Sequence, residues 1–146
     1  MASFSDQVDD WTRETKERVD AVYARSVEIL GEEMSKTRPQ GGRVPFDTGN
    51  LSRSLLASTS GLPSVSEGPF VGSNVGLIAA TLEADDTVWL GYQAKYAMRV
   101  NYGYIGEDSL GRIIVQGGAH FVEAAESEWD NIVSSAVKEI RYQAGA

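Results

Sequence analysis

Cysteine is absent from the 146 residues, which removes disulfide frameworks, thiolate metal sites and cysteine nucleophiles together. Histidine occurs once, at His120, so neither a His-x-x-x-His metal pair nor a Ser-His-Asp triad can be assembled from neighbouring residues. No apolar run reaches the roughly eighteen residues a spanning helix needs, and the first thirty positions mix Asp, Glu, Arg and Lys throughout. The expectation is therefore a soluble chain, made in the cytoplasm, with no signal peptide and no membrane partner. Bases are also scarce: 13 Lys and Arg against 21 Asp and Glu leave a net charge of -8, the opposite of the footprint of a phosphate-gripping protein. Neither a Gly-x-Ser-x-Gly elbow nor a Gly-x-x-x-x-Gly-Lys loop is present, so no catalytic, cofactor or metal residue is assigned.

What is there suits one domain over 1–146, with 42% hydrophobic and 23% charged residues and enough length for one modest core. From Phe4 the apolar residues Val8, Trp11, Val19, Val22, Ile29 and Met34 follow at sums of three and four, with charges between them. That spacing predicts a helix over about 5–36, capped by Ser3 with Asp6 and stopped before Arg38-Pro39, with Gly41-Gly42 as a flexible joint. Phe121, Ala125, Trp129, Ile132, Ala136 and Ile140 form a second stripe and predict a helix over about 119–143. Between them the period shifts towards two. Gly76–Glu83 and Thr87–Gln93 read as a hairpin turning at Ala84-Asp85-Asp86, with Leu55–Ser60 and Arg112–Gln116 as further strands. Residues 61–76 and 103–118 read as two long glycine-rich loops. The fold class expected is α+β, long N- and C-terminal helices packed on a small antiparallel sheet around a strand-rich centre, about 44–118.

The sharpest local signal is Val44-Pro45-Phe46-Asp47-Thr48-Gly49-Asn50-Leu51. An aspartic protease presents its catalytic carboxylate on such an Asp-Thr-Gly, and two facing copies would share a proton. The plainer reading is that Asp47 or Thr48 caps a short helical turn over Gly49–Ser54, with Leu51 and Leu55 facing the core. Adjacent acids at Asp85-Asp86 and Glu32-Glu33 read as solvated, and His120 as a capping or interface residue. Tyr92, Tyr96, Tyr102 and Tyr104 with Lys95 and Arg99 could stack single-stranded nucleic acid, but two bases suit packing and protein contact better.

Three blocks in order, Asp47-Thr48-Gly49-Asn50-Leu51-Ser52-Arg53-Ser54-Leu55, then Tyr96-Ala97-Met98-Arg99-Val100-Asn101-Tyr102-Gly103, then Ala119-His120-Phe121-Val122-Glu123-Ala124-Ala125, resemble the neck and minor tail proteins of long-tailed phages. The likeness is to the tail-completion (tail-terminator) and head-tail joining type, over roughly 45–143. It marks Asp47, Thr48, Gly49, Leu51, Ser54, Tyr96, Ala97, Val100, Tyr102, Gly103 and Phe121 as motif positions. Asn101 stands where that family favours glutamate, Tyr104 where threonine is common, and Ala119-His120 where a basic residue and proline usually precede the phenylalanine.

The resemblance implies a non-enzymatic virion protein, a subunit of a homo-oligomeric ring, a hexamer, that ends the tail tube and joins it to the head. Its implied partners are itself, the major tail tube protein and the head-tail connector or stopper protein, with DNA passing the lumen unbound. Tyr104, Ile105, Leu110 and Arg112, in the second loop, are the candidate inter-ring contacts. The rivals are another neck station (connector adaptor, stopper or minor capsid protein), an aspartic-protease-type enzyme using Asp47, and a toxin–antitoxin or regulatory binding module.

Overall fold

A computed structural model describes residues 1–145 of the chain. The architecture is α+β, and its longest element is α1, Phe4–Ser35. Ser3 starts it as the spacing predicts: its hydroxyl accepts from the Asp6 amide at 3.1 Å, and the Asp6 carboxylate accepts from the Ser3 amide at 3.0 Å. At a rise of 1.5 Å per residue α1 is about 48 Å long. Only its C-terminal half reaches the core, where Val27, Gly31 and Met34 are buried.

The helix stops before Pro39, and the segment after it is no loose joint. A 3-10 turn over Arg38–Gln40 closes on Gly41 in the left-handed region, and Thr37 bridges Val44 in parallel. Residues Asn50–Arg53 then form a single turn, α2, running into strand β1, Leu55–Ser58. Leu51 and Leu55 are both buried, as expected.

The predicted strand over Gly76–Glu83 is instead a short helix, α3, Val75–Ala79, followed by turns. The buried residues Val75 and Ala79 are four apart on the face of the helix turned to α1, and Leu82, just beyond the turn that follows, joins the same cluster. The fit is close. A Cβ on Gly31 would come within 2.5 Å of a Val75 methyl, so the glycine sets how near α3 approaches α1. The turn at Ala84–Asp86 exists, pinned to α1 by Asp20, which accepts from the Ala84 amide at 2.8 Å, and by Tyr23, which donates to the Asp86 carbonyl at 2.9 Å. It leads into β2, Trp89–Tyr92, whose partner is β1, antiparallel with Leu55 opposite Tyr92.

The second expected loop is not one. After helix α4, Ala97–Tyr102, the chain forms an antiparallel hairpin of β3, Gly103–Glu107, and β4, Ile113–Gly117, with Ile105 opposite Val115. Asp108 builds its turn, accepting from the amides of Leu110 and Arg112 at 2.9 Å each. The single small sheet expected is thus two separate two-stranded sheets. The C-terminal helix is likewise split, into α5, Phe121–Ser127, and α6, Trp129–Gln143. Ser127 donates its hydroxyl to the Ala124 carbonyl at 2.8 Å, and the Glu128 amide turns to Ala125 at 3.1 Å instead of Ala124, which breaks the helical ladder.

Two clusters of buried side chains make most of the core, with Ile132 and Ala136 of α6 buried outside both. One lies between α1, α3 and the β1–β2 sheet, around Val27, Met34, Leu55 and Val75; the other joins Val44, Leu51, Ala97 and Phe121. Tyr92 packs against both. Its ring meets Phe121 edge-on at 5.1 Å, and its hydroxyl donates to the Met34 carbonyl at 2.6 Å. Burial pushes its phenol above the ordinary range, so it stays a donor.

Two substitutions probe this packing. Tyr92→Phe leaves the Met34 carbonyl without its donor and is expected to cost about 1–2 kcal/mol in urea unfolding; no loss would mean that the bond is dispensable. Gly31→Ala should cost about 1–3 kcal/mol by overpacking against Val75, and a stability equal to or above wild type would show that α3 can retreat freely.

Candidate functional site

The Asp-Thr-Gly segment lines a cleft of about 300 Å3 with Pro45, Phe46, Asn50, Leu51, Tyr96 and Val100. Asp47 is the only acid among those residues. It is exposed, and the fold around it is α+β, not all strand. Among the described residues of one chain, then, no second carboxylate lines this cleft to hold a shared proton.

The cap at the start of α2 also differs from expectation. Gly49 occupies the N-cap position with φ +79, a conformation that favours glycine, and neither Asp47 nor Thr48 caps from there. Thr48 contributes one long bond, from the Asn50 amide to its hydroxyl at 3.4 Å.

The polar residues that follow tie the chain to itself. Asn50 donates to the Tyr96 hydroxyl at 3.2 Å and accepts from the Phe70 amide at 3.0 Å. Arg53 donates to the carbonyls of Phe70 at 2.9 Å and Thr48 at 3.1 Å. Ser52 donates to the Ser35 carbonyl in the last turn of α1, and the buried Ser54 hydroxyl donates to Leu51 at 2.7 Å. The middle of the 61–76 segment is therefore held through Phe70, and its far end through Asn74, whose amide group exchanges two bonds with the backbone of Ala57 on the edge of β1, at 2.7 and 3.0 Å.

The second block behaves alike. Tyr96 precedes α4, and Ala97 is buried beside the half-buried Val100. Asn101, 2% exposed, accepts from the Val122 amide at 3.0 Å and donates to both carboxylate oxygens of Glu123 at 3.0 Å. A side chain of α4 thereby caps the first turn of α5, where His120 has φ 50 and supplies no side-chain cap. The Glu123 carboxyl is held below its ordinary range, first by its own backbone amide and then by Asn101 and the nearby His120. Gly103, with φ +91, lets the hairpin close: a Cβ there would meet the Gln116 carbonyl at 2.6 Å. Phe121 is buried under Tyr92.

Of the predicted positions, Leu51, Ser54, Ala97 and Phe121 are core, while Asp47, Thr48 and Tyr102 face outward. The tyrosines do not form one stacking surface. Tyr92 is internal, Tyr104 lies under the Arg99 guanidinium at 4.5 Å, and only Tyr96 and Tyr102 are exposed. Sequence reasoning passed over Asn50, Arg53, Asn74 and Asn101 as fasteners; asparagine's ability to copy a backbone amide was the available signal.

What the chain leaves open is apolar surface. It exposes 9640 Å2, about a third more than the roughly 7300 Å2 of a compact monomer of 15.8 kDa. One contribution is the hairpin, where paired residues share a face: Ile105, Ile113 and Val115 lie outward, and Leu110 is exposed at the tip. The other is the N-terminal half of α1, where Phe4 is 82% and Trp11 67% exposed. Antiparallel to α1, α6 covers its stripe only from about Thr15 onward. Among the described residues no group of three or more His, Asp and Glu is placed to hold a metal.

Asn101→Leu should cost about 1–3 kcal/mol, because it strands the Val122 amide; Asp47→Asn should stay within about 0.5 kcal/mol of wild type. Thermal unfolding of both checks this, and the reverse ranking would make Asp47 the structural residue. No protein-family model, curated protein or solved structure matches the chain, and what it does has to be argued from its own residues and surfaces.

Proposed function

We propose that this chain is a ring subunit of a tailed-phage neck, ending the tail tube and joining it to the head. The observation that carries the reading is its surplus of surface, held on two separate apolar elements rooted far apart. The hairpin springs from the end of α4 beside α5, which adjoins the C-terminal turn of α1, whereas Phe4 lies about 44 Å away along the helix axis. A subunit that closes a ring and also meets an adjoining one needs two such separate surfaces, one for its neighbours in the ring and one for the next ring.

The three motif blocks support the same reading. Their polar residues fasten α2, α4 and α5 together and leave no paired carboxylates, which suits a scaffold better than an aspartic protease. The net charge of -8 suits a lumen that repels DNA phosphates and lets the strand slide. The hairpin carrying Tyr104, Ile105, Leu110 and Arg112 is the part that reaches the next ring, in place of a loop that orders on assembly.

Purified chain mixed with tail tubes, imaged by negative stain and weighed by native mass spectrometry, is expected to give rings, hexamers by the resemblance, at tube ends. Rings on the connectors of tailless heads alone would move the chain to an adaptor or stopper station. Binding to neither would overturn the neck reading.

A further inference from the structure

Between the covered half of α1 and the end of α6 runs an open groove of about 380 Å3. Its floor is Val19, Val22, Val137 and Ile140, and two arginines, Arg18 and Arg141, stand on it with no acid among the lining residues. Among the described residues neither arginine lies within ion-pair distance of a carboxylate. The opposite chemistry sits on the uncovered arm of α1. Residues 1–12 carry Asp6, Asp9 and Asp10, no Lys or Arg, and the exposed anchors Phe4 and Trp11.

From this complementarity we infer that the N-terminal arm of α1 docks into the α1–α6 groove of a second copy of the chain. Phe4 and Trp11 bury on the valine and isoleucine floor, and Asp9 and Asp10 face Arg18 and Arg141. The chain cannot fill its own groove, because arm and groove belong to one continuous helix and Phe4 stands about 22 Å along the axis from Val19. Every copy carries both a donor arm and an acceptor groove, so the contact passes from copy to copy. It deepens the ring reading by naming the contact between neighbours.

The areas suit a reversible contact. Aromatic side chains bury about 150–250 Å2 each, so Phe4 and Trp11 at their exposures offer roughly 300 Å2. Matched by the groove, that is roughly 600 Å2 of apolar area, below the ~1200 Å2 of a standard interface before the polar rim is added. The contact is therefore weak between single copies and strengthened when the ring closes.

Sedimentation equilibrium of the full chain, from about 1 μM to about 1 mM, is expected to show concentration-dependent self-association that weakens with added salt. Arg18→Asp with Arg141→Asp should weaken it at least tenfold, as should Asp9→Arg with Asp10→Arg. All four exchanges in one chain should restore it, and Phe4→Ala should weaken it without affecting the salt dependence. The substituted side chains are exposed, and circular dichroism confirms that each variant folds. A wild-type chain monomeric throughout, association indifferent to these exchanges, or failure of the fourfold exchange to restore it in a folded chain overturns the contact. The two readings fail separately: association with the expected charge dependence but no binding to tubes or connectors overturns the neck alone, whereas rings at tube ends from a chain with only its arm charges or only its groove charges reversed overturn this contact alone.

Discussion

The two main clusters of the core meet at Tyr92. Its position at the end of β2 brings the ring between the cluster around Val27 and Leu55 and the cluster around Val44 and Phe121, and its hydroxyl reaches the last turn of α1 at Met34. Three kinds of constraint act on one side chain: an aromatic edge against Phe121, apolar burial on both sides, and a hydrogen bond that removes one of the free carbonyls at a helix end. A shift of α1 relative to the β1–β2 sheet would strain the Met34 bond and the packing around Val27 and Leu55 together. The second cluster would otherwise be small, with Ala94 and Ala97 among its five buried members, and it is joined to the first through this ring.

Because the apolar core is slight, polar fasteners hold the elements that surround it. Asn50, Arg53, Asn74 and Asn101 each bind backbone groups far away in sequence, and no buried side-chain nitrogen or oxygen among the described residues lacks a partner. An amide or guanidinium that bonds two backbone sites fixes both at once, which is an economical way to order segments too short to form regular structure. The Arg25–Glu139 pair does the same for the two long helices, with Arg25 donating at 2.7 Å. Glu139 is held below its ordinary range, first by this hydrogen bond. A carboxyl depressed in the folded chain binds its proton more tightly when unfolded, so the pair's contribution is present above pH 4.5 and declines as acid titrates the folded group.

How legible this was depends on how far each element's pattern exceeded its neighbours' influence. The terminal helices were readable because their stripes run for many turns, and α1 begins and ends within a residue of expectation. The α3 segment misled because Gly76-Leu77-Ile78-Ala79-Ala80 is too short to show a period by itself; the helix is little more than one turn, and its buried residues Val75 and Ala79 sit against α1 because Gly31 allows the close approach. At 103–118 strand β4 was legible over Arg112–Gln116, whereas the glycines hid its partner β3, although the turn chemistry, Asp108-Ser109-Leu110-Gly111 between Tyr-Ile and Ile-Ile-Val, was present. Asp47 shows the converse. The motif is defined by a carboxylate, while the ordering is done by the next seven residues.

The arm of α1 poses the remaining physical question, since a stretch of helix with no tertiary contact should fray. Short helices are marginal alone mainly because nucleation is unfavourable, and here the nucleus already exists where α1 packs on α3 and α6. Extension then needs only favourable propagation, with Ser3 and Asp6 closing the open end and Asp10 near Arg13 at 3.2 Å adding a little. Phe4, Val8 and Trp11 remain aligned in water, although a solvated face would ordinarily carry polar residues there. Holding them on a preformed helix means that a partner meets an ordered stripe and the ordering cost is already met within the chain, the arrangement by which a small apolar area can still sustain a specific contact.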